Sequence, residues 1–399
     1  MENRNFVIHI NTLKYIALFF VWIPAYSIYN WIPMANRVML GLRLLCSTII
    51  ILKYFTPKLR VEYLLIGVYA FIEIISTYLY NRTNLFDALE FCICIISMCM
   101  FFVNLGRERQ VQFRKAVVFW GIIYAIGIAI TCFATPGSMR EDLGLHFFVS
   151  SRANSAQAMI CVLALLFALD YKLYGKPQVT SLLVLLLTGI SMIGLHSGQG
   201  IIMLGIVIAV LLIFTRKKSD KLVRLVSPIG IALLNIFLNW LIISQVYMKI
   251  KPITYFITTV LKKDVTLTGR DIIYNNIVYI FLKSPLLGFG YKNSVVENSL
   301  SHFAEGYNSA HNSPFQILIE VGIIGFVILF VLILWVLMQL EQKKTKECYI
   351  AYGCIVAFLI GGITSLAYYN IYFYVLVSFS IGMYYSVGNT YENCLQERK

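Results

Sequence analysis

The sequence predicts an all-α fold, a polytopic membrane helix bundle of about twelve transmembrane helices with a long extracytoplasmic loop between the ninth and tenth. Three observations predict it. Of the 399 residues, 59% are hydrophobic and only 13% charged, with a mean hydropathy of +0.77, far more apolar residue than a soluble core of this size needs. Apolar runs long enough to cross a hydrocarbon layer about 30 Å thick recur down the whole chain. Those runs are apolar on every face, whereas a membrane barrel needs strict alternation over segments of roughly ten residues.

The elements follow in order. The first run, Tyr15 to Met34, is too long for a signal h-region and is followed at once by further spans, so it reads as a retained first helix. Next come Val38 to Phe55, Val61 to Tyr80, Leu85 to Leu105 and Ala116 to Ala134. Ala153 to Tyr171, Gln178 to His196, Gly198 to Thr215 and Val223 to Tyr247 bring the count to nine. The polar knot His196 to Gly200 between the seventh and eighth runs reads as either a tight hairpin or a broken helix. After the hydrophilic stretch Met248 to Ser313 come Phe315 to Leu340, Glu347 to Tyr368 and Asn370 to Gly388. The chain thus divides into helices 1–9 (residues 1–247), an extracytoplasmic loop (248–313) and helices 10–12 (314–399).

Lys and Arg set the orientation. With a cytoplasmic N-terminus, every short inner connection is basic, among them Lys53, Lys58 and Arg60; Arg107, Arg109, Arg114 and Lys115; and Lys343, Lys344 and Lys346. The short outer connections hold only Arg37, Arg43, Arg82, Arg140 and Arg152. Both termini are therefore expected in the cytoplasm. The net charge of +14 needs no nucleic-acid partner, because it is spread over these connections without an aromatic-interleaved patch. Nine cysteines all fall in spans or on the inner side, so disulfides are not expected and the thiols read as small core residues.

Chemistry has few places to sit. The inner connections leave no room for a nucleotide-binding domain, and neither GxxxxGK[ST] nor GxGxxG occurs. The roughly 65 residues from Met248 to Ser313 are the one sizeable hydrophilic segment, and a long loop in a compact membrane protein usually carries function. A synthetic reaction outside the cytoplasm needs a substrate already activated, which a lipid-linked diphosphate supplies. Four of the five histidines, His146, His196, His302 and His311, fall at or beyond the outer boundary. Arg152 opens the sixth helix, and Arg270 opens a helical pattern through Ile273, Ile277 and Phe281 that Pro285 ends.

A guanidinium is a planar, permanently charged fork that matches phosphate oxygens, so two of them can hold a diphosphate without a metal. His311, next to Asn312, is placed to take a proton from an attacking sugar hydroxyl. The plainer readings are headgroup anchors for the arginines and a helix-end polar residue for His311. No metal-ligand spacing is present around His302, Glu305 and His311, and no metal or other cofactor is expected. Arg43, Glu73, Asp87, Glu90 and Glu320 lie inside spans, where each costs about 2.5 to 3.5 kcal/mol at mid-bilayer, so they are expected to face the bundle interior. Glu320 belongs to Glu320-Val-Gly322-x-x-Gly325, whose glycines permit close helix approach; it serves either the reaction or as a structural partner for an Arg.

Thr268-Gly269-Arg270, Ser284-Pro285-Leu286-Leu287-Gly288-Phe289-Gly290-Tyr291, Ala310-His311-Asn312-Ser313 and Leu318-x-Glu320-x-Gly322-x-x-Gly325, in this order, resemble the O-antigen ligase and polymerase superfamily. Wzy-type O-antigen and capsular polysaccharide polymerases belong to it. The motifs cover about 60 residues, and helix count and loop position are similar over the rest. The resemblance implies a metal-independent inverting glycosyltransferase of the bacterial plasma membrane. Its donor and acceptor would be undecaprenyl-diphosphate-linked glycans, with a chain-length regulator as a further partner. It implies Arg270 and His311 as catalytic residues; Arg152, Asn154, His196, Gln199, Asn312 and Glu320 are the further candidates for contact with the substrate. Ser151-Arg152-Ala153-Asn154 is similar to the polar stretch that opens a middle helix in many polymerases, Asn154 matching best. Where the family commonly has a Ser-Arg-Gly-like turn, this chain reads His196-Ser197-Gly198-Gln199-Gly200, with Gln in place of Arg, and Arg152 or His196 is the candidate substitute.

The Tyr-, Phe-, Ile- and Lys-rich composition favours a repeat-unit polymerase over a ligase, which moves finished polymer onto lipid A core. The alternative from another class is a flippase for the same lipid-linked units; it would be expected to show an internal repeat, and none is evident between the halves.

Overall fold

The computed structural model describes residues 10–25, 34–55, 60–133, 147–214, 227–260, 264–266, 270–300 and 309–396, and within them the fold is all-α with no strand. The helices are α1 (Ile10–Trp22), α2 (Ala35–Tyr54), α3 (Val61–Tyr80), α4 (Leu85–Val103), α5 (Arg107–Phe133), α6 (Arg152–Tyr174), α7 (Val179–Gly194), α8 (Gly198–Phe214) and α9 (Pro228–Ile243). They continue with α10 (Lys251–Tyr255), α11 (Arg270–Leu282), α12 (Val295–Leu300), α13 (Ser313–Lys343), α14 (Lys346–Gly361) and α15 (Ile371–Gln396). The second to twelfth predicted apolar runs each overlap one of α2–α9 or α13–α15, and α3 agrees to the residue at both ends; the first, Tyr15 to Met34, is corrected, since α1 starts at Ile10 and ends at Trp22, with residues 26–33 outside the described ones. Among the described residues six stretches are long and apolar enough to cross a membrane, including α13 with 31 residues, and most of the rest are shorter apolar helices. The chain is a polytopic membrane protein.

The centre of the bundle is α6, buried along nearly its whole length between α5, α8, α14 and α15. Its sequence explains this: Ala156, Ala158, Ala164 and Ala168 let neighbours close in, and between Arg152 at its start and Asp170 no charged residue interrupts the helix. Asp170 is met by Arg114 of α5, whose guanidinium also donates to Thr180 Oγ1 at 2.9 Å. Most charged residues of other spans turn inward as expected, whereas Asp87, in the first turn of α4, is 37% exposed and pairs with Lys292 at 2.9 Å because the helix end gives it access to a surface partner. Arg43 pairs with Glu90 at 3.2 Å, and Glu73 and Glu320 are buried. The polar knot is not a hairpin of mutually packed helices: α7 packs chiefly on α5 and α8 on α14, with His196 between them at φ 48°.

The described residues between α9 and α13 include helices and an apolar core of their own, which a plain hydrophilic loop would lack. Ile273, Tyr274, Ile277 and Ile280 of α11 join Leu241, Tyr247, Val296, Leu300 and Ala310 in a second apolar core that sits on the end of the bundle. The predicted stripe through Phe281 is corrected by one position, because Ile280 carries the buried face and Phe281 is only half-buried.

Ser284 to Tyr291 then inserts into the bundle. α13 breaks at Gly322 (φ 63°, ψ −170°), which takes backbone groups on either side out of the helical ladder. The inserted strand of chain satisfies them: Phe289 and Gly290 donate to the carbonyls of Ile319 and Glu320 at 2.7 and 2.9 Å, and Ile323 donates to Pro285 O at 2.8 Å. A Cβ at Gly322 would lie 2.1 Å from Leu286 O, so Gly322 admits the inserted chain rather than a neighbouring helix. Gly325 does serve helix approach, with Ile72 of α3 3.3 Å from where its Cβ would lie.

Candidate active site

One cavity of about 460 Å³ collects Arg152, His196, Gln199 and Arg270, four of the residues nominated from sequence. Three helices begin at it: Arg152 is the first residue of α6, Gly198 of α8 and Arg270 of α11, and all three line the wall. Helix N-termini carry partial positive charge and unpaired N–H groups, so their convergence favours an anion. The guanidiniums add full charges. Among the described residues the ion pairs are Arg43–Glu90, Arg60–Glu62, Arg114–Asp170 and Lys292–Asp87, so neither Arg152 nor Arg270 is neutralised by a carboxylate. Arg152 Nε is buried without a hydrogen-bond partner, and Arg270 donates to the carbonyl of Thr364 in the turn between α14 and α15.

Much of the remaining lining is apolar. Leu238, Leu241 and Ile242 of α9, Ile253 and Ile257 before α11, and Ile202, Ile360 and Ile363 from the bundle form it. Charged groups and greasy side chains lining one cavity suit an amphipathic ligand whose head is anionic. The apolar wall and Thr364 were not nominated from sequence, because an isoleucine that lines a cavity is indistinguishable in the chain from one that faces lipid.

His311 stands outside the cavity's lining, next to Arg270, with its backbone at φ 47°. Burial, reinforced by the Arg270 charge, lowers its pKa to about 4, so the imidazole is neutral near pH 7. A neutral ring keeps a free nitrogen lone pair to accept a proton. An anion bound at Arg270 would offset part of the charge that holds the ring neutral, which makes it a better base when the site is filled.

Asn312, Asn154 and Glu320, also nominated from sequence, are not among the residues lining the cavity and hydrogen-bond within the protein. Asn312 is fully buried and caps α13, accepting from Phe315 N at 3.0 Å while its amide donates to Asn239 Oδ1 and Ile363 O at 2.7 and 2.9 Å. Asn154 bonds Ser150 Oγ and accepts from Asn370 Nδ2 at 2.9 Å. Glu320 has neither an Arg partner nor a place on the cavity. Its carboxylate accepts from Gln316 Nε2, Tyr369 OH and the Lys292 amide at 3.0, 2.9 and 3.2 Å, tying the inserted segment to α13. His146 and His302, with Thr268 and Gly269, lie outside the described residues.

Fold and cavity together define a membrane-embedded helix bundle with a cationic, partly apolar cavity at one end. Residues 182–330, from α7 into α13, match the family model described as O-antigen ligase, which supports the resemblance to the O-antigen ligase and polymerase superfamily. The match takes in His196, Gln199, Arg270, His311, Asn312 and Glu320, while Arg152 and Asn154 lie before it. No curated protein and no solved structure matches the chain.

Proposed function

We propose that the chain is a glycosyltransferase that polymerises undecaprenyl-diphosphate-linked oligosaccharide repeat units into O-antigen or capsular polysaccharide at the outer face of the plasma membrane. The observation that carries this reading is the pair of guanidiniums, Arg152 and Arg270, lining one cavity without a carboxylate partner and together with apolar side chains. The diphosphate would sit between the arginines, and the first isoprene units would run along Leu238, Leu241 and Ile242. Arg152 would do what an Arg at the Gln199 position does in relatives.

In the reaction, a hydroxyl oxygen of the acceptor attacks C1 of the donor's reducing-end sugar from the face opposite the diphosphate. The C1–O bond to the diphosphate breaks with inversion, and the hydroxyl proton passes to His311. Charge grows on the departing diphosphate, where Arg270 and Arg152 are fixed before the reaction begins and so stabilise the transition state more than the ground state.

The test is chain growth with purified protein in detergent and lipid-linked repeat units alone. Products longer than one unit, lost in Arg270→Ala and His311→Ala and strongly reduced in Arg152→Ala, are expected. Single units only, in the wild type, would exclude polymerisation. The description of the matched family model favours a second reading, a ligase, which differs in its acceptor. Transfer only after lipid A core is added would select it, and no new glycosidic bond with either acceptor would leave transport.

A further inference from the structure

Arg270 and His311 come from separate parts of the chain, and the turn between α14 and α15 brings them together. Arg270 donates to Thr364 O. The residues after His311 grip the same turn from the other side: Asn312 Nδ2 donates to Ile363 O at 2.9 Å, Ser313 N to Gly362 O at 2.8 Å and Ser313 Oγ to Ser365 O at 2.8 Å. Asn312 is itself oriented from α9. Its amide donates to Asn239 Oδ1 at 2.7 Å, while Asn239 Nδ2 donates to Asn235 O and Oδ1 at 2.8 and 3.1 Å, and Asn235 Nδ2 donates to Leu359 O at 3.0 Å.

Two asparagines four apart on one face of an apolar helix are costly in a membrane unless they cross-link, and here the ladder ends at the reacting groups. Both are buried, with 8% exposure each. Asn239 has one acceptor oxygen facing Asn312, and its donor end is occupied by Asn235, so its amide cannot flip without leaving two donors or two acceptors face to face. That polarity fixes which end of the Asn312 amide faces the Phe315 N–H and which faces the turn.

We propose that Asn239 is a positioning residue for the transfer reaction, fixing through Asn312 the turn that holds Arg270 and the backbone that carries His311. The proposal rests on the reading of Arg270 and His311 as the reacting pair. Asn239 is not among the residues that line the cavity. It therefore sets the alignment of the two groups rather than donor binding, and misalignment by about 1 Å costs a reaction roughly 100-fold.

The experiment measures kcat and KM for chain growth with purified full-length wild type, Asn239→Leu, Asn239→Ser and Asn239→Asp. The Leu variant removes the acceptor and the Ser variant, with no added bulk, withdraws it from Asn312 because its hydroxyl ends one bond short, whereas a buried, protonated Asp keeps both an acceptor towards Asn312 and a donor towards Asn235. The expected result is a kcat lowered about 10- to 100-fold in Leu and Ser with KM for the donor within about twofold, and recovery to within a few-fold in Asp. Wild-type kcat in Leu and Ser, or an Asp variant as slow as they are, would overturn the proposal. Hydrogen exchange at the Ser313 and Phe315 amides is read on the same samples. If the wild type forms no glycosidic bond, the reading of the reaction has failed, whereas unchanged exchange in Leu and Ser shows that the brace itself is absent.

Discussion

At the residue scale the site depends on charge that is present but unpaired. Arg270→Lys keeps a positive charge and loses the planar fork, so donor KM should rise about tenfold or more in steady-state assays, while Arg270→Ala should lose the reaction. His311 gives a pH prediction with a definite sign. Its folded pKa of about 4 lies below the ordinary 6.5, so between those values the unfolded chain binds the extra proton and the folded one does not. Its contribution to stability is therefore full above about pH 6.5 and falls as the pH drops towards 4, by about 3 kcal/mol in all. The His311→Gln variant should accordingly lose less thermal stability than wild type between pH 7 and 4.5, as measured by melting in detergent. Arg270 and His311 stand out in the chain as candidates because a charge or an imidazole has few uses at an apolar surface, and the structure places the two near each other. Asn312, Asn154 and Glu320 were equally visible as polar residues, but whether an amide faces a ligand or a carbonyl is decided by neighbours more than 50 residues away.

At the scale of elements the informative feature is a helix broken where the sequence looks most helical. Gly322 interrupts 31 residues of α13, and the inserted Ser284–Tyr291 segment repairs the backbone hydrogen bonds the break exposes. Gly322→Ala would put a Cβ 2.1 Å from Leu286 O at a φ that L residues avoid. We expect a loss of about 2 to 4 kcal/mol, seen as a lowered Tm, with displacement of the inserted chain detectable by faster exchange at the Phe289 and Gly290 amides. The motif glycines were visible in the chain, yet spacing alone suggested helix approach. The periodicity of a helix carries no mark of a second chain entering it.

For the whole molecule, burial of ionised groups sets the strongest constraint. Asp170 and Arg114 pin the central helix α6 to α5, and Asp170→Ala should leave the guanidinium buried and uncompensated, destabilising by about 3 to 5 kcal/mol in a denaturation measurement. The orientation inferred from basic connections places the cavity outside the cytoplasm. In a background with native cysteines replaced, Lys251→Cys, which is exposed, should react with a membrane-impermeant thiol reagent in intact spheroplasts. Labelling only after lysis would put the lipid-linked reaction on the wrong face and overturn the proposed function.

The chain alone determined the membrane class, each apolar helix and the start of α11 at Arg270, since in a bilayer every span must satisfy its own backbone and advertise itself by length and composition. It also singled out the arginines. Only the tertiary structure decided that Arg152, His196, Gln199 and Arg270 share a cavity, that apolar side chains line it with them, and that Asn239 reaches Asn312 across 73 residues. The reason is that lipid and protein interior are equally apolar, so hydropathy reports that a residue is out of water without reporting what it touches.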